Sequence, residues 1–174
     1  GEAYIQAGLF INEERRRDLD FSDAIYQIRT GLYYRAGTDI PADLADFGDL
    51  RVGTREGTYQ ATDLRARYPE LDLVTLRSWE EGVDALVSER VDAIVAEDPS
   101  MDVLLAQLGL QGEVLRAPGR VTVNAVHGAV AKGREKLLEE INAGLDSISL
   151  AELSHLERRW ISDSEQRMFV QARK

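Results

Sequence analysis

Between Leu50 and Leu108 the chain repeats one pattern, a short apolar strand, a turn and an amphipathic helix, and this alternation constrains the fold more than any other feature. Leu50 to Thr54 reads as a strand, Arg55-Glu56-Gly57 as a turn, and Thr58 to about Arg67 as a helix. Leu71 to Leu76, rich in Val, Leu and Thr, reads as the next strand. Ser78-Trp79-Glu80-Glu81 has the pattern of a capping box, in which the serine accepts from an early N–H and Glu81 reaches back. The helix behind it carries Trp79, Val83, Leu86 and Val87 at i, i+4, i+7 and i+8, a single apolar stripe. Val91 to Ala96 is then a buried strand, and Asp98-Pro99 opens a helix through Leu108. Strands alternating with helices of this length predict an α/β fold with parallel pairing and right-handed crossovers.

The last third departs from this rhythm. Val121 to Ala131 is a long apolar stretch containing His127 and Gly128, and a helix is predicted from about Arg134 to Ile148. Ser149-Leu150-Ala151-Glu152 is a second capping box, and its helix places Leu150, Leu153, Leu156 and Trp160 on one side. The segment after Ile161 is polar and charged, as expected of a frayed end or a linker.

Bulk properties remove several function classes. The net charge of −10 argues against nucleic acid, which demands a concentrated basic surface. No apolar run is long enough to span a bilayer. Cysteine is absent, so disulfides and thiolate metal sites are excluded. His127 and His155, the only histidines, have no metal-ligand spacing, and no nucleophile elbow or HExxH motif occurs. No cofactor and no metal are expected.

Several segments, taken in order, resemble the extracytoplasmic solute-binding proteins of the polar-amino-acid-binding type. Gly8 to Asp23, with its charged turn and closing Phe21-Ser22-Asp23, is similar to the family segment in which a turn precedes an arginine. Leu44 to Thr58 resembles the family's strand entry and Gly-Thr helix start. Trp79 to Asp98 resembles its helix–strand unit ending in an acidic residue, and Trp160 stands where the closing helix ends. The resemblance implies a two-lobed, type II periplasmic-binding-protein-like fold. One lobe would comprise residues 1–29 and 125–174, the other residues 30–124. The family's opening strand, first helix and second strand have no counterpart before Gly1, so the first lobe is expected to be incomplete. Its open sheet edge would then favour filling by a neighbouring chain, as in a homo-oligomer.

The resemblance also singles out site residues. Arg15 occupies the family arginine's spacing from Phe21, and a guanidinium fork is the natural clamp for a ligand carboxylate. Read from the residues alone, Glu13 to Asp18 is rather a solvated charged turn. Gly57 and Thr58 begin a helix directly after a strand, where backbone N–H groups and the positive dipole end suit an anion; an ordinary threonine cap is the alternative. The pattern lacks both the dinucleotide glycine fingerprint and a Walker lysine, which argues against nucleotides. Glu97 matches the acidic residue that holds the ligand's ammonium group in the family. Asp98 could take that role instead, or merely cap its helix. Phe10 departs from the small hydroxyl residue frequent in the family, and could cover an apolar ligand face or fill the core. Trp79 and Trp160, on apolar helix stripes, read as core residues, and Tyr26, Tyr33 and Tyr34 as alternately packed residues of a crossing strand.

These readings converge on non-catalytic binding of a small amino acid or related carboxylate. The user would be an ABC permease or a fused signalling output domain. The charged tail from Asp163 to Lys174 and the departure at Phe10 lean towards the fused domain. An enzyme on the same fold, such as a dehydratase, would need Glu97 as general acid or base. A cytoplasmic regulator's effector domain lacks support, because no DNA-binding helix pair is present.

Overall fold

The apolar run ending at Glu97 becomes β5 (Ala93–Glu97), the most deeply buried strand among the described residues. The computed structural model describes residues 5–119 and 121–160, with the backbone alone of Trp160. Ala93, Ile94, Val95 and Ala96 are all fully buried, since β5 has a strand on each edge and a packed core on each face. β3 (Arg51–Arg55) pairs with it in parallel, Val52 opposite Ala93. The second half of β2 (Leu19–Arg35) pairs antiparallel, Thr30 opposite Glu97 and Tyr34 opposite Ala93. β4 (Asp72–Leu76) extends the sheet in parallel beyond β3 along all five residues.

Successive strand residues point to opposite faces, and the core divides accordingly. Ile94, Ala96 and Tyr33 pack with Leu76, Trp79, Val83, Leu86, Met101 and Leu105, under α3 (Trp79–Val87) and α4 (Asp98–Leu108). Ala93, Val95 and Leu32 pack with Val52, Leu64, Leu44 and Phe47 on the other side. That side is covered by α2 (Tyr59–Arg67) and a 3-10 turn, Leu44–Asp46. Helices on both faces of a parallel-rich sheet are the layering expected of a repeating strand–helix unit. A short strand, β6 (Val114–Arg116), pairs antiparallel with β2 through Tyr33, Tyr34 and Arg35. These elements form one compact unit, Arg29–Thr122.

The other unit comprises residues 1–28 and 123–174. Its β1 (Gln6–Phe10) pairs antiparallel with β7 (Thr122–Ala131), Leu9 opposite His127 and Phe10 opposite Val126. A four-residue helix, α1 (Arg15–Asp18), leads directly into β2. Side-chain bonds reinforce the β2–β7 neighbourhood: Ser22 Oγ accepts from Gly128 N at 2.9 Å, and the His127 ring Nδ1 lies 2.8 Å from Ser22 O. A carbonyl can only accept, so Nδ1 carries the proton. α5 (Glu135–Ser147) and α6 (Leu150–Trp160) complete this unit. The Ser149–Glu152 capping box forms in both directions, at 3.2 and 2.9 Å. The Ser149 hydroxyl, donating to the Glu152 carboxylate at 2.7 Å, and then the Ser149 backbone N–H hold that carboxyl below its ordinary range.

Some expectations need correction. Val87, placed on the apolar stripe of α3, is 45% exposed, and Leu150 and Leu156 of α6 are 51% and 44% exposed. In the first capping box Ser78 Oγ accepts from Glu81 N, but Glu81 reaches back to Arg77 N, one residue earlier than the motif requires. The charged run around Arg15 is partly helical rather than a plain turn. The tail beyond Ile161 and the Trp160 side chain lie outside the described residues.

Candidate ligand-binding site

In unit Arg29–Thr122 the carboxyl ends of β3 and β5 lie side by side, tied by Thr54 Oγ1 donating to Val95 O at 3.2 Å. Open α/β sheets offer ligands a place at such strand ends. The chain leaves β3 through Gly57, whose φ of +70° is left-handed and suits a residue without Cβ. Thr58 is the N-cap of α2: its Oγ1 accepts from Ala61 N at 3.3 Å and donates to Arg55 O at 2.7 Å. The cap fixes the start of the helix, so its positive end and first-turn N–H groups have a set direction.

Glu97 ends β5, and its side chain is only partly buried. Its Oε1 accepts from Gln60 Nε2 at 3.2 Å, and Gln60 belongs to the first turn of α2. Thr58 and Glu97 are thus joined through one intervening side chain. What results is an anion-favouring helix end beside a carboxylate, which is the charge pattern complementary to a zwitterion.

Asp98, the next residue, has the opposite environment. It is fully buried, and its carboxylate accepts from Tyr33 Oη at 2.9 Å and from Arg116 Nε and Nη2 at 2.9 and 2.8 Å. Arg29 Nε stands 3.7 Å away, an ion pair without a hydrogen bond. Burial, reinforced by the Asp98 and Asp102 charges and the bond to Asp98, pushes the Tyr33 phenol well above its ordinary range, so it stays a donor. The bond to Asp98 likewise raises the Arg116 guanidinium. Asp98 makes no side-chain capping bond in α4, whose N-cap is Glu97, so the capping alternative is overturned. Its oxygens are committed to structural partners. Gly31 permits this: a Cβ there would collide with the Asp98 carboxylate and lie 2.8 Å from Arg116 Nε.

In the other unit Arg15 is half-buried while Arg16 and Arg17 are exposed. Arg15 N donates to Asn12 Oδ1 at 2.7 Å, and its Nη1 donates to Phe10 O at 2.8 Å. The structure therefore brings Arg15 and Phe10 together, through the Phe10 backbone at the end of β1. A guanidinium carries five N–H donors, so this bond orients the fork without exhausting it.

Three residues here carried no sequence signal: Gln60, Thr30 and Arg116. Each acts through partners distant in the chain. Trp79 lies in the core, with the Arg55 guanidinium 5.2 Å from the centre of its ring. Among the described residues no cluster of His, Asp or Glu has the arrangement of a metal site, and no helix is long and apolar enough to cross a membrane.

Residues 3–163 match the model of the bacterial extracellular solute-binding proteins, family 3. The chain belongs to that family. It is 25% identical over 162 residues to the ABC transporter glutamine-binding protein GlnH of Bacillus subtilis, an alignment covering 91% of this chain and 58% of that protein. It is also 25% identical over 165 residues to the virulence sensor protein BvgS of Bordetella pertussis, covering 92% of this chain and 13% of the sensor. A crystal structure of a periplasmic BvgS domain superposes with a TM-score of 0.73, at 25% identity, over 91% of this chain and 67% of that one. A mutant of ArgBP from T. maritima superposes with a TM-score of 0.74, at 23% identity, over 90% and 67% of the two chains. The fold is accordingly the type II periplasmic-binding-protein fold, of which this chain spans a part. Family membership places it outside the cytoplasm. Its relatives are binding proteins and sensor domains.

Proposed function

We propose that this chain belongs to a non-catalytic module that binds a small zwitterion, an amino acid or related carboxylate, for ABC uptake or for signalling. The observation that carries the reading is the juxtaposition of the capped α2 N-terminus with Glu97, through Gln60, at the carboxyl ends of β3 and β5. The Gly57–Thr58 end of the helix would receive the ligand carboxylate, and Glu97 its ammonium. Arg15 would clamp the carboxylate as well, and Phe10 would both orient Arg15 and contact the ligand. In this reading the lobe comprising residues 30–124 carries Gly57, Thr58 and Glu97, and the lobe comprising 1–29 and 125–174 carries Arg15 and Phe10. The partner would be an ABC permease or a signalling output domain, as the kinds of relatives suggest. Glu97 acts here as a fixed charge rather than as a general acid or base.

Calorimetry on the intact protein with a panel of amino acids tests this. Arg15→Ala should weaken binding by about 1.5–3 kcal/mol, because it removes a charge-assisted bond. Arg16→Ala and Arg17→Ala should cost about 0–1 kcal/mol, as exposed charges do. Equal small losses for all three would return the cluster to a solvated charged segment. Failure of Glu97→Gln to weaken binding would remove the ammonium site.

A further inference from the structure

We propose that Gln60 is the positioning residue that holds the Glu97 carboxylate in its binding orientation and tunes the site to ligands bearing an N–H donor. The inference rests on the amino-acid reading above. Gln60 is only 3% exposed, although it lies in the first turn of a helix. Its Nε2 donates to Glu97 Oε1 at 3.2 Å and to Thr30 Oγ1 at 3.4 Å. Thr30 and Glu97 are themselves direct partners across the β2–β5 ladder, so one amide ties α2 to both strands.

The orientation of that amide follows from chemistry. An ionised carboxylate only accepts hydrogen bonds, so the nitrogen must face Glu97; the flipped amide would set two oxygens against each other. The carbonyl is then forced the other way. Gln60 Oε1 is buried, and among the described residues no group donates to it. Buried acceptors without donors are few in folded proteins, and each one calls for an explanation. Leucine or methionine would fill the same space without leaving such an atom. The glutamine here spends its donor on Glu97 and keeps an acceptor on the same carbon. The bond from Gln60 engages Glu97 Oε1 and sets the direction of the carboxylate, so an ammonium group meets an acceptor already oriented for it. A ligand that is only a carboxylic acid, with no ammonium for Glu97, gains nothing from that orientation.

The test uses Gln60→Met, close in volume and without donor or acceptor, in the intact protein. L-Glutamine, L-arginine and L-cysteine serve as probes, each beside the same acid lacking its α-amino group. Calorimetry should show that the preference for the amine-bearing acid falls at least fivefold in the variant, while the thermal midpoint of the unliganded protein holds. A preference that falls by less than fivefold, even if both affinities drop together, overturns the proposal, since a merely structural role would weaken both ligands alike. Should none of the probes bind the wild-type protein, the amino-acid reading itself fails, and the positioning role is decided by NMR. The Gln60 side-chain N–H protons should then exchange at least tenfold faster in Glu97→Ala than in wild type; an unchanged rate overturns the role.

Discussion

The two units of the chain differ in how completely they bury their own apolar residues. In Arg29–Thr122 both sheet faces are covered, and Val52, Leu64, Leu86, Ile94 and Val95 are each 1% exposed or less. In the other unit α5 is just as amphipathic, yet among its described residues none is buried: Leu137, Leu138, Ile141 and Leu145 are all half-covered. The same pattern of apolar spacing thus gives a closed core in one unit and a partly open face in the other. Periodicity specifies which side of a helix is apolar; only the neighbouring elements decide how far that side leaves water. Burial is worth about 25 cal/mol per Å² of apolar surface, so the local stability of the chain should concentrate in Arg29–Thr122.

The sharpest way to break this contrast is to attack the buried ion cluster of that unit. Asp98→Ala leaves Arg116 and the nearly buried Arg29 without their carboxylate and should cost about 3–5 kcal/mol in denaturant unfolding. A loss under about 1 kcal/mol would mean that the cluster contributes little. Next in size is a matched pair of core deletions. Leu86→Ala, at a fully buried position, should cost about 2–5 kcal/mol, whereas Leu145→Ala in α5 should cost about 1 kcal/mol. Equal costs would erase the difference between the units.

The smallest effect concerns pH. Burial alone would raise the Asp92 carboxyl, but the Arg51 side chain and backbone N–H and the Arg35 charge together bring it below its ordinary value of about 3.8. The unfolded chain therefore takes up this proton first as pH falls. The stabilisation is fully present above the unfolded value and is lost as pH drops through the lower folded one. Asp92→Asn should flatten the acid limb of the stability curve by less than about 1 kcal/mol, measured by urea unfolding between pH 5 and 2.5, because the pair is partly solvated. A larger change would place more of the unit's stability in surface charge than its closed core allows.

Legibility in the sequence follows the same division. The run from β3 to α4 was readable because strand and helix periods alternate over short spans and the caps at Thr58 and Ser78 mark the starts. The 17-residue β2 was only partly readable. Tyr26, Tyr33 and Tyr34 suggested a strand, but nothing in the mixed sequence from Leu19 to Arg35 fixed its length. At the site, sequence left Glu97 and Asp98 as alternatives. They are neighbours at the junction of β5 and α4, and only the positions of Tyr33 and Arg116 reveal their different surroundings. Gln60 was invisible for the same reason, since its partners lie 30 and 37 residues away in the chain. Val87 and Leu156 show the converse error: both fit an apolar stripe, yet they stand 45% and 44% exposed.

The central claim is that the carboxyl ends of β3 and β5, with the start of α2, hold an amino acid by its two charged groups. A crystal structure of the intact protein with a bound amino acid tests this most directly. The account predicts the ligand ammonium within about 3 Å of a Glu97 oxygen and its carboxylate on the Gly57–Thr58 end of α2, at ordinary hydrogen-bond distances. A ligand seated away from Glu97, or held with its ammonium turned towards Thr58, would contradict it.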